Sequence, residues 1–231
     1  MAKGKLIVLE GTDGAGKSTQ LELIKQHLYK HKLTFDFLHF PKYGHNEFSK
    51  VIAAFLRGEY GKADEVNPYF VANIYAMDRF LFLPELNEML EENDVVILDR
   101  YVFSGMAFQA GKYKNAEGAQ RIIDWIDQFE FEFLDLPYPD LTLFLDVPMN
   151  VVKERLENQR DGADREYLQG KQDIHEQDLE FQSRVRDAYI KNLKDYEDYE
   201  IVPCMVNGVL LSPEDLFNSY KFYIDNIIDN G

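Results

Sequence analysis

The segment Gly-Thr-Asp-Gly-Ala-Gly-Lys-Ser-Thr, residues 11–19, constrains the fold of this chain more than any other feature. It follows an apolar run, residues 6–9, and precedes a helical pattern, which is the context that the G-x-x-x-x-G-K-[ST] motif requires. Its glycines let backbone N–H groups converge on phosphate oxygens, and the positive end of the next helix strengthens that attraction. The segment therefore predicts a phosphate loop that binds a nucleoside triphosphate.

Two residues of this loop have specific expected contacts. Lys17 is expected to bridge the β- and γ-phosphates, and the Ser18 hydroxyl to bind Mg²⁺. The residues predicted to bind the triphosphate are Gly11, Asp13, Gly14, Ala15, Gly16, Lys17, Ser18 and Thr19.

The rest of the chain predicts an α/β fold. Short runs rich in Leu, Ile, Val and Phe alternate with helical patterns, as expected of parallel strands buried on both faces. The predicted strands are Lys5–Glu10, Thr34–Phe40, Asp94–Leu98, Asp140–Val147 and Tyr199–Cys204. The pattern indicates a doubly wound five-stranded parallel sheet flanked by helices. No linker or repeat divides the 231 residues, so a single domain is expected, with a mobile lid at about residues 159–173.

One helix has a clear start. Asn67-Pro68 reads as an N-cap followed by proline at the first helical position. The apolar residues expected to form its buried stripe are Phe70, Ile74, Met77 and Leu81, with Phe80 and Phe82 outside the stripe.

Composition narrows the classes of partner. The chain has 41 acidic and 25 basic residues, a net charge of −16, so a basic stripe for nucleic acid is not expected. Its longest apolar stretches, about five to seven residues, fall short of the roughly 20 needed to cross a membrane. Cys204 is the single cysteine, which excludes an intramolecular disulfide and fits a reducing compartment. These features predict a soluble, cytoplasmic protein without nucleic-acid or membrane partners.

GTPase switches, ATP-driven motors and small-molecule kinases all share this kind of phosphate loop. The guanine-reading N-K-x-D or T-K-x-D motif is absent, and so is the Leu-Ser-Gly-Gly-Gln signature of transporter ATPases. A small-molecule kinase remains, which needs an acceptor pocket and a lid that excludes water.

Candidate acceptor residues follow the third predicted strand. Ligands of open parallel sheets bind beyond the carboxyl ends of the strands, so Asp99 and Arg100 are expected beside the phosphate loop. Asp99 is placed to act on Mg²⁺ and Arg100 to bind a phosphate. Tyr75 and Arg79, four residues apart on one helix face, are suited to stack on a pyrimidine and to donate to it.

The combination of motifs resembles the thymidylate kinase family. It consists of the phosphate loop, Phe40-Pro41, Asp78-Arg79 and the segment Asp-Arg-Tyr-x-x-Ser-x-x-Ala-Phe-Gln that starts at Asp99. The similarity covers most of the chain and is weakest after about residue 200. The resemblance implies transfer of the ATP γ-phosphoryl group to dTMP, giving dTDP and ADP for dTTP biosynthesis. It also implies Mg²⁺ as cofactor and a homodimer.

The resemblance assigns roles on the base side of the acceptor. Tyr75 matches the aromatic residue that stacks on thymine, and Arg79 the arginine that binds the base carbonyl. Phe40 is implied to pack beside the base. Ser104 and Gln109 match further contacts on the base side.

It also assigns roles around the sugar and phosphate. Phe108 matches the bulky ring that disfavours a ribose 2′-hydroxyl, and Arg100 the arginine on the acceptor phosphate. Asp99 matches the acid near the metal. Asp13 matches an acid that contacts the sugar 3′-hydroxyl, and an acid beside two polyphosphates needs such a proton or a paired arginine.

The chain departs from the family pattern at two points. Several members carry an arginine in the phosphate loop where this chain has Gly14, so the catalytic charge must come from elsewhere. Among Arg155, Arg160 and Arg165, we expect Arg160 and Arg165 to be the lid arginines. Many relatives carry an arginine shortly after Phe40-Pro41, where this chain has Lys42-Tyr43. A deoxynucleoside kinase acting on thymidine and a non-catalytic nucleotide-binding protein remain as alternatives.

Overall fold

The computed structural model describes residues 4–158, 167–170, 173–175 and 178–229. Its centre is a five-stranded sheet in the order β2-β3-β1-β4-β5, in which all neighbours are parallel. The strands are β1 (Lys5–Glu10), β2 (Phe35–His39), β3 (Val95–Asp99), β4 (Leu141–Asp146) and β5 (Tyr199–Pro203). Each begins and ends within one residue of its predicted position, and the doubly wound five-stranded sheet is confirmed.

Helices occupy most of the connections between strands. They are α1 (Lys17–Lys30), α2 (Glu47–Leu56), α3 (Pro68–Glu92), α4 (Val102–Ala110), α5 (Ala116–Asp127), α6 (Met149–Asn158), α7 (Leu179–Asn192) and α8 (Pro213–Asp229). A π-helical segment, Gln128–Phe133, follows α5 directly. A short antiparallel hairpin, β6 (Met205–Val206) and β7 (Val209–Leu210), follows β5 and was not predicted.

The two faces of the sheet have separate cores. Ile7 and Leu9 of β1 pack with buried residues of α1 and α8, whereas Leu6 and Val8 pack with those of α3, α4, α5 and α7. Successive side chains of a strand point to opposite faces, so β1 is buried on both sides. This double cover explains why the strands read as continuous apolar runs.

The register brings the carboxyl ends of three strands together. Leu9 of β1 pairs with Asp99 of β3, and Asp99 pairs with His39 of β2. On its other side β1 pairs with β4. The phosphate loop therefore follows β1 at the point where the strand order reverses, between β3 on one side and β4 on the other. Open α/β sheets bind ligands at such a point.

Helix α3 starts as predicted but buries a different face. The Asn67 side chain accepts from the backbone N–H of Tyr69, and Pro68 occupies the first turn. The predicted buried stripe is wrong at Phe70 and Leu81, which are 48% and 49% exposed, while Phe82 is buried. Apolar residues occur around the whole circumference of α3, so their spacing did not identify the buried face. Within the described ranges, every helix is too short or too polar to span a membrane.

Candidate active site

The phosphate loop lies between β1 and α1. Gly14 and Gly16 have φ values of 74° and 90°, the left-handed region that glycine adopts without strain. A Cβ on Gly11 would lie 2.9 Å from the Cβ of Ala15, so this position also requires glycine. The loop thereby turns the start of α1, with Lys17, towards the carboxyl edge of the sheet.

Lys17, Asp99 and His39 form a polar row at that edge. The Lys17 Nζ lies 3.8 Å from Asp99 Oδ1, and His39 Nδ1 lies 3.2 Å from Asp99 Oδ2. Burial would raise the pKa of Asp99, but Lys17 and His39 outweigh it and hold that pKa well below its usual range. Burial, together with Arg100, lowers the pKa of Lys17, while Asp99 opposes that shift. The row therefore presents an ionised carboxylate beside the phosphate loop.

Arg100 joins the phosphate loop to the predicted acceptor side. Its φ of 68° is unusual for a residue other than glycine. Its Nη2 donates to Asp13 Oδ1 at 2.6 Å, and its Nη1 donates to Ser104 Oγ at 3.1 Å. Gln182 Nε2 donates to the second Asp13 oxygen at 2.9 Å. Burial would raise the pKa of Asp13, but Arg100 and Lys17 outweigh it and lower that pKa. Asp13 is thus an ionised acid paired with an arginine.

A buried acid, Glu10, holds Ser104 and the start of α4 in place beside Arg100. Glu10, the last residue of β1, is 0% exposed and accepts from the backbone N–H groups of Tyr101 and Ser104, both at 3.0 Å. The Ser104 hydroxyl donates to Glu10 at 2.5 Å, and the Tyr189 hydroxyl donates to it at 2.8 Å. Burial raises the pKa of Glu10, although these donors oppose the shift. Glu10 therefore fixes the start of α4, and the hydroxyl proton of Ser104 is already donated to Glu10.

Arg79 is held by a partner that the sequence did not reveal. Its Nε and Nη2 donate to the two oxygens of Glu130, each at 2.6 Å, and both side chains are buried. Its Nη1 donates to the Tyr101 carbonyl at 3.4 Å. A Cβ on Gly105 would come within 3.3 Å of Arg79 Nη2, so glycine leaves space for the pair. Burial raises the pKa of Tyr75 well above its usual value, and Arg79 is among the charges that oppose this rise.

Three further predicted residues lie in or near the core. The Phe108 ring centre lies 5.2 Å from Arg100 Cζ, which is a cation–π distance. Phe40 is 2% exposed, and its backbone N–H donates to the Asp99 carbonyl at 3.1 Å. Gln109 is buried, and its Oε1 has no hydrogen-bond partner in the described part of the chain.

Two described segments, at the far end of the predicted lid and just beyond it, contact the rest of the site. The Tyr167 ring stacks on Tyr43, with centres 3.8 Å apart. The Tyr167 hydroxyl donates to Asp173 at 3.2 Å, and Arg57 Nη1 donates to the Tyr167 carbonyl at 2.8 Å. Tyr43, one of the two residues at the second departure from the family pattern, therefore meets the far end of the predicted lid.

Arg155 reaches the phosphate loop. Its Nη1 donates to the Gly14 carbonyl at 2.9 Å, and a Cβ on Gly14 would lie 3.5 Å from the Arg155 Cβ. Arg160 and Arg165, the predicted lid arginines, lie outside the described residues. Among the three candidate arginines, Arg155 is thus the one that the structure places beside the loop.

Several residues of the site were not found by sequence reasoning. Glu10 had a local signal, because an acid ends an otherwise apolar strand just before the motif. Gln182 and Glu130 had none, since each looks like an ordinary polar residue of a surface helix. His175 is buried, and its Nε2 has no hydrogen-bond partner among the described residues. Its ring centre lies 4.9 Å from that of Phe108.

The fold and this site define a class of protein. A phosphate loop at the carboxyl edge of a doubly wound parallel sheet, faced by an aspartate and an arginine from the neighbouring strand, defines a P-loop kinase.

Comparison with known proteins identifies the family. The family model described as thymidylate kinase matches residues 9–205. A thymidylate kinase of Mycobacterium tuberculosis is 34% identical over 80% of this chain and 83% of its own length. One of Leuconostoc mesenteroides is 32% identical over 86% of each chain. The chain belongs to the thymidylate kinase family. A solved thymidylate kinase structure from Candida albicans, at 23% identity, superposes with a TM-score of 0.71 over 99% of this chain and 94% of its own, which supports the fold.

Proposed function

We propose that this chain transfers the γ-phosphoryl group of ATP to dTMP, giving dTDP and ADP for dTTP synthesis. Membership of the thymidylate kinase family supports the reaction. The whole chain acts as one domain in this proposal, because α1 and α8, from opposite ends of the sequence, cover the same face of the sheet.

The observation that carries the proposal is the ion pair between Asp13 and Arg100. Asp13 belongs to the loop that cradles the donor, and Arg100 follows the strand next to it. A cation for an acceptor phosphate therefore lies directly beside the donor site. Arg100 binds the acceptor phosphate, and Asp13 accepts from the sugar 3′-hydroxyl. Gln182 holds the second Asp13 oxygen and keeps the carboxylate aimed.

The base and sugar contacts follow from the neighbouring residues. Tyr75 stacks on the thymine ring, and Arg79, fixed by Glu130, donates to a base carbonyl. Phe108 fills the space beside the sugar, while Phe40, Ser104 and Gln109 complete the base side. The Ser104 hydroxyl also positions Arg100, because it accepts a hydrogen bond from the Arg100 guanidinium.

Positive charge around the transferred group comes from several side chains. Lys17 and the backbone of residues 11–19 bind the donor phosphates. Arg155 contacts the loop at Gly14, where several relatives carry an arginine. Arg160 and Arg165 are proposed to add charge from the lid when it closes over the reactants.

The site residues also fit Mg²⁺. Ser18 and Asp99 offer hard oxygen donors, and Asp99 Oδ1 is buried without a hydrogen-bond partner in the described residues. These two residues would hold the ion, directly or through water. When bound, Mg²⁺ neutralises charge on the β- and γ-phosphates. Lys17 and Arg100 supply the remaining cationic contacts.

A homodimer is proposed on the exposed face of α3. Phe70, Phe80 and Leu81 expose 48%, 37% and 49% of their surfaces on this one helix. Apolar patches of this kind often mark protein–protein contacts. Sedimentation equilibrium of the wild type and of Leu81→Glu tests this, and a monomeric wild type would contradict it.

The reaction is tested by coupled ADP release with dTMP, thymidine, dUMP and CMP as acceptors. The expected result is the highest kcat/KM with dTMP. Lys17→Met should abolish turnover, whereas Lys25→Met, in a partly exposed pair with Glu22 on the same helix, should leave it unchanged.

Two outcomes would contradict the proposal. Turnover of thymidine without turnover of dTMP would identify a deoxynucleoside kinase. ATP binding without ADP production stimulated by dTMP would identify a non-catalytic nucleotide-binding protein.

A further inference from the structure

Two histidines and an aspartate meet at the end of α1 that is remote from the phosphate loop. His27 and His31 are four residues apart at the C-terminal end of α1, and Asp225 projects from α8. One potential ligand atom from each of the three lies within 4.8 Å of the other two. The His27 Nε2 lies 2.6 Å from Asp225 Oδ1.

Neighbouring rings already hold this group in place. The His27 ring centre lies 4.5 Å from that of His31 and 5.5 Å from that of Phe217, which belongs to α8. The His27 side chain is 13% exposed and that of Asp225 is 36% exposed. The packing of α1 on α8 thus sets the spacing of the three side chains, and the exposure of His31 and Asp225 leaves them accessible to an ion.

The donor set has the chemistry of a transition-metal site. Neutral imidazole nitrogens with one carboxylate oxygen suit Zn²⁺, and two histidines one turn apart on a helix are a common source of ligands. A tetrahedral Zn²⁺ site places its ligand atoms ~3.3 Å apart, so small side-chain rotations bring the three together. Mg²⁺ prefers oxygen ligands in octahedral geometry and would not compete here.

We propose that His27, His31 and Asp225 bind one divalent transition-metal ion of the Zn²⁺ type, which clamps α8 to α1. Ser18, near the start of α1, is nine residues before His27, or about 14 Å along the helix axis. The site is therefore distinct from the nucleotide site. Its effect is to fasten the C-terminal helix, which also contacts α1 through the hydrogen bond between Tyr220 and Gln20.

The test is titration of the full-length protein, treated first with EDTA, with Zn²⁺ in isothermal calorimetry and thermal unfolding. The expected results are one site per chain and a Tm increase of about 5 °C at a Zn²⁺ concentration 100 times Kd. Co²⁺ should give the visible absorption of a tetrahedral site. EDTA should reverse each effect.

Variants show which residues bind the ion. His31→Asn changes an exposed residue at the end of α1, so it should fold normally and weaken binding at least tenfold. His27→Gln should do the same while keeping a donor for Asp225. Gln26→Ala, an exposed change on the same helix, is the control and should bind as the wild type does. The proposal is wrong if wild-type protein shows no saturable binding, or if His31→Asn keeps the wild-type affinity and Tm increase.

Discussion

The buried pair of Arg79 and Glu130 offers a direct test of the proposed contact between Arg79 and the base. Both side chains are almost fully buried, at 3% and 1% exposure, and two hydrogen bonds of 2.6 Å join them. In Glu130→Gln, the shape is kept but the counter-charge is lost, and one Arg79 donor faces an amide N–H₂ group. Removing one partner of a buried ion pair costs about 3–5 kcal/mol, because the other charge stays buried and uncompensated.

The expected loss of stability is large for this chain. In proteins of 150–250 residues, each kcal/mol of lost stability lowers the Tm by about 2–4 °C, so the Tm should fall by about 6 °C or more. The function should change as well, because an arginine without its partner no longer holds one orientation. We expect the KM for dTMP to rise about tenfold, equivalent to about 1.4 kcal/mol, with kcat changed much less.

The assay combines calorimetric Tm values with steady-state kinetics for two variants and a control. In the double variant Arg79→Met, Glu130→Leu, both charges are replaced by apolar groups, so the Tm should recover to within a few degrees of the wild type. The KM for dTMP should stay high, because the proposed donor to the base is gone. Glu180→Gln removes the acid of an exposed pair with Arg184 and should leave both quantities unchanged.

Separate recovery of stability and affinity is the decisive result. If the double variant recovers both the Tm and the KM for dTMP, Arg79 makes no contact with the acceptor, and its role is structural. If Glu130→Gln leaves the Tm unchanged, the charge on Arg79 is compensated by another group and the reasoning from burial is refuted.

Three further predictions concern other residues of the site. Arg155→Ala should lower kcat about tenfold or more and leave the KM for dTMP within about twofold, because Arg155 contacts the Gly14 carbonyl of the phosphate loop. An unchanged kcat would mean that the catalytic positive charge comes from the lid arginines alone. Gln182→Ala should raise the KM for dTMP about tenfold through loss of a hydrogen bond to the ionised Asp13, and an unchanged KM would show that Asp13 needs no such support. His175→Gln tests the pH dependence of stability. Burial lowers the pKa of His175 to about 3 in the folded protein, from a value near 6.5 in the unfolded chain. The folded protein is therefore fully stable with respect to this group above pH 6.5, and it loses stability as the pH falls towards 3, because the unfolded chain binds the proton first. Between pH 7.5 and 5, urea unfolding should show the wild type losing about 2 kcal/mol more than the variant, and parallel pH profiles would refute this.

The fold was predictable because its signals are local. Each buried strand is a short apolar run, and each of the five appears where it was expected, since both faces of the sheet are covered. The start of α3 was also local, in Asn67-Pro68. The buried face of α3 was not, because Phe70 and Leu81 are as apolar as the residues that are buried. Which face packs inward depends on the neighbouring helices.

The proximity of the candidate residues was predictable where they follow strand ends or lie in the phosphate loop. Asp13, Lys17, Asp99 and Arg100 come together because parallel strands end at one edge of the sheet. Gln182 lies 169 residues after Asp13, and only the packing of α7 brings it there. Long-range partners of this kind leave no spacing in the sequence to recognise.

In the phosphate loop, the absence of a side chain at Gly14 is related to the position of the Arg155 side chain. Gly14 has a positive φ and no Cβ, and the Arg155 side chain occupies the adjacent space, with its guanidinium on the Gly14 carbonyl. An arginine at position 14 would need a strained backbone, because φ is positive there, and its Cβ would lie in van der Waals contact with the Arg155 Cβ, at 3.5 Å. With glycine at position 14, Arg155 of α6 is the described arginine that places a positive charge beside the loop. Because α6 leads directly into the predicted lid, movement of the lid would change the position of this charge relative to the donor phosphates.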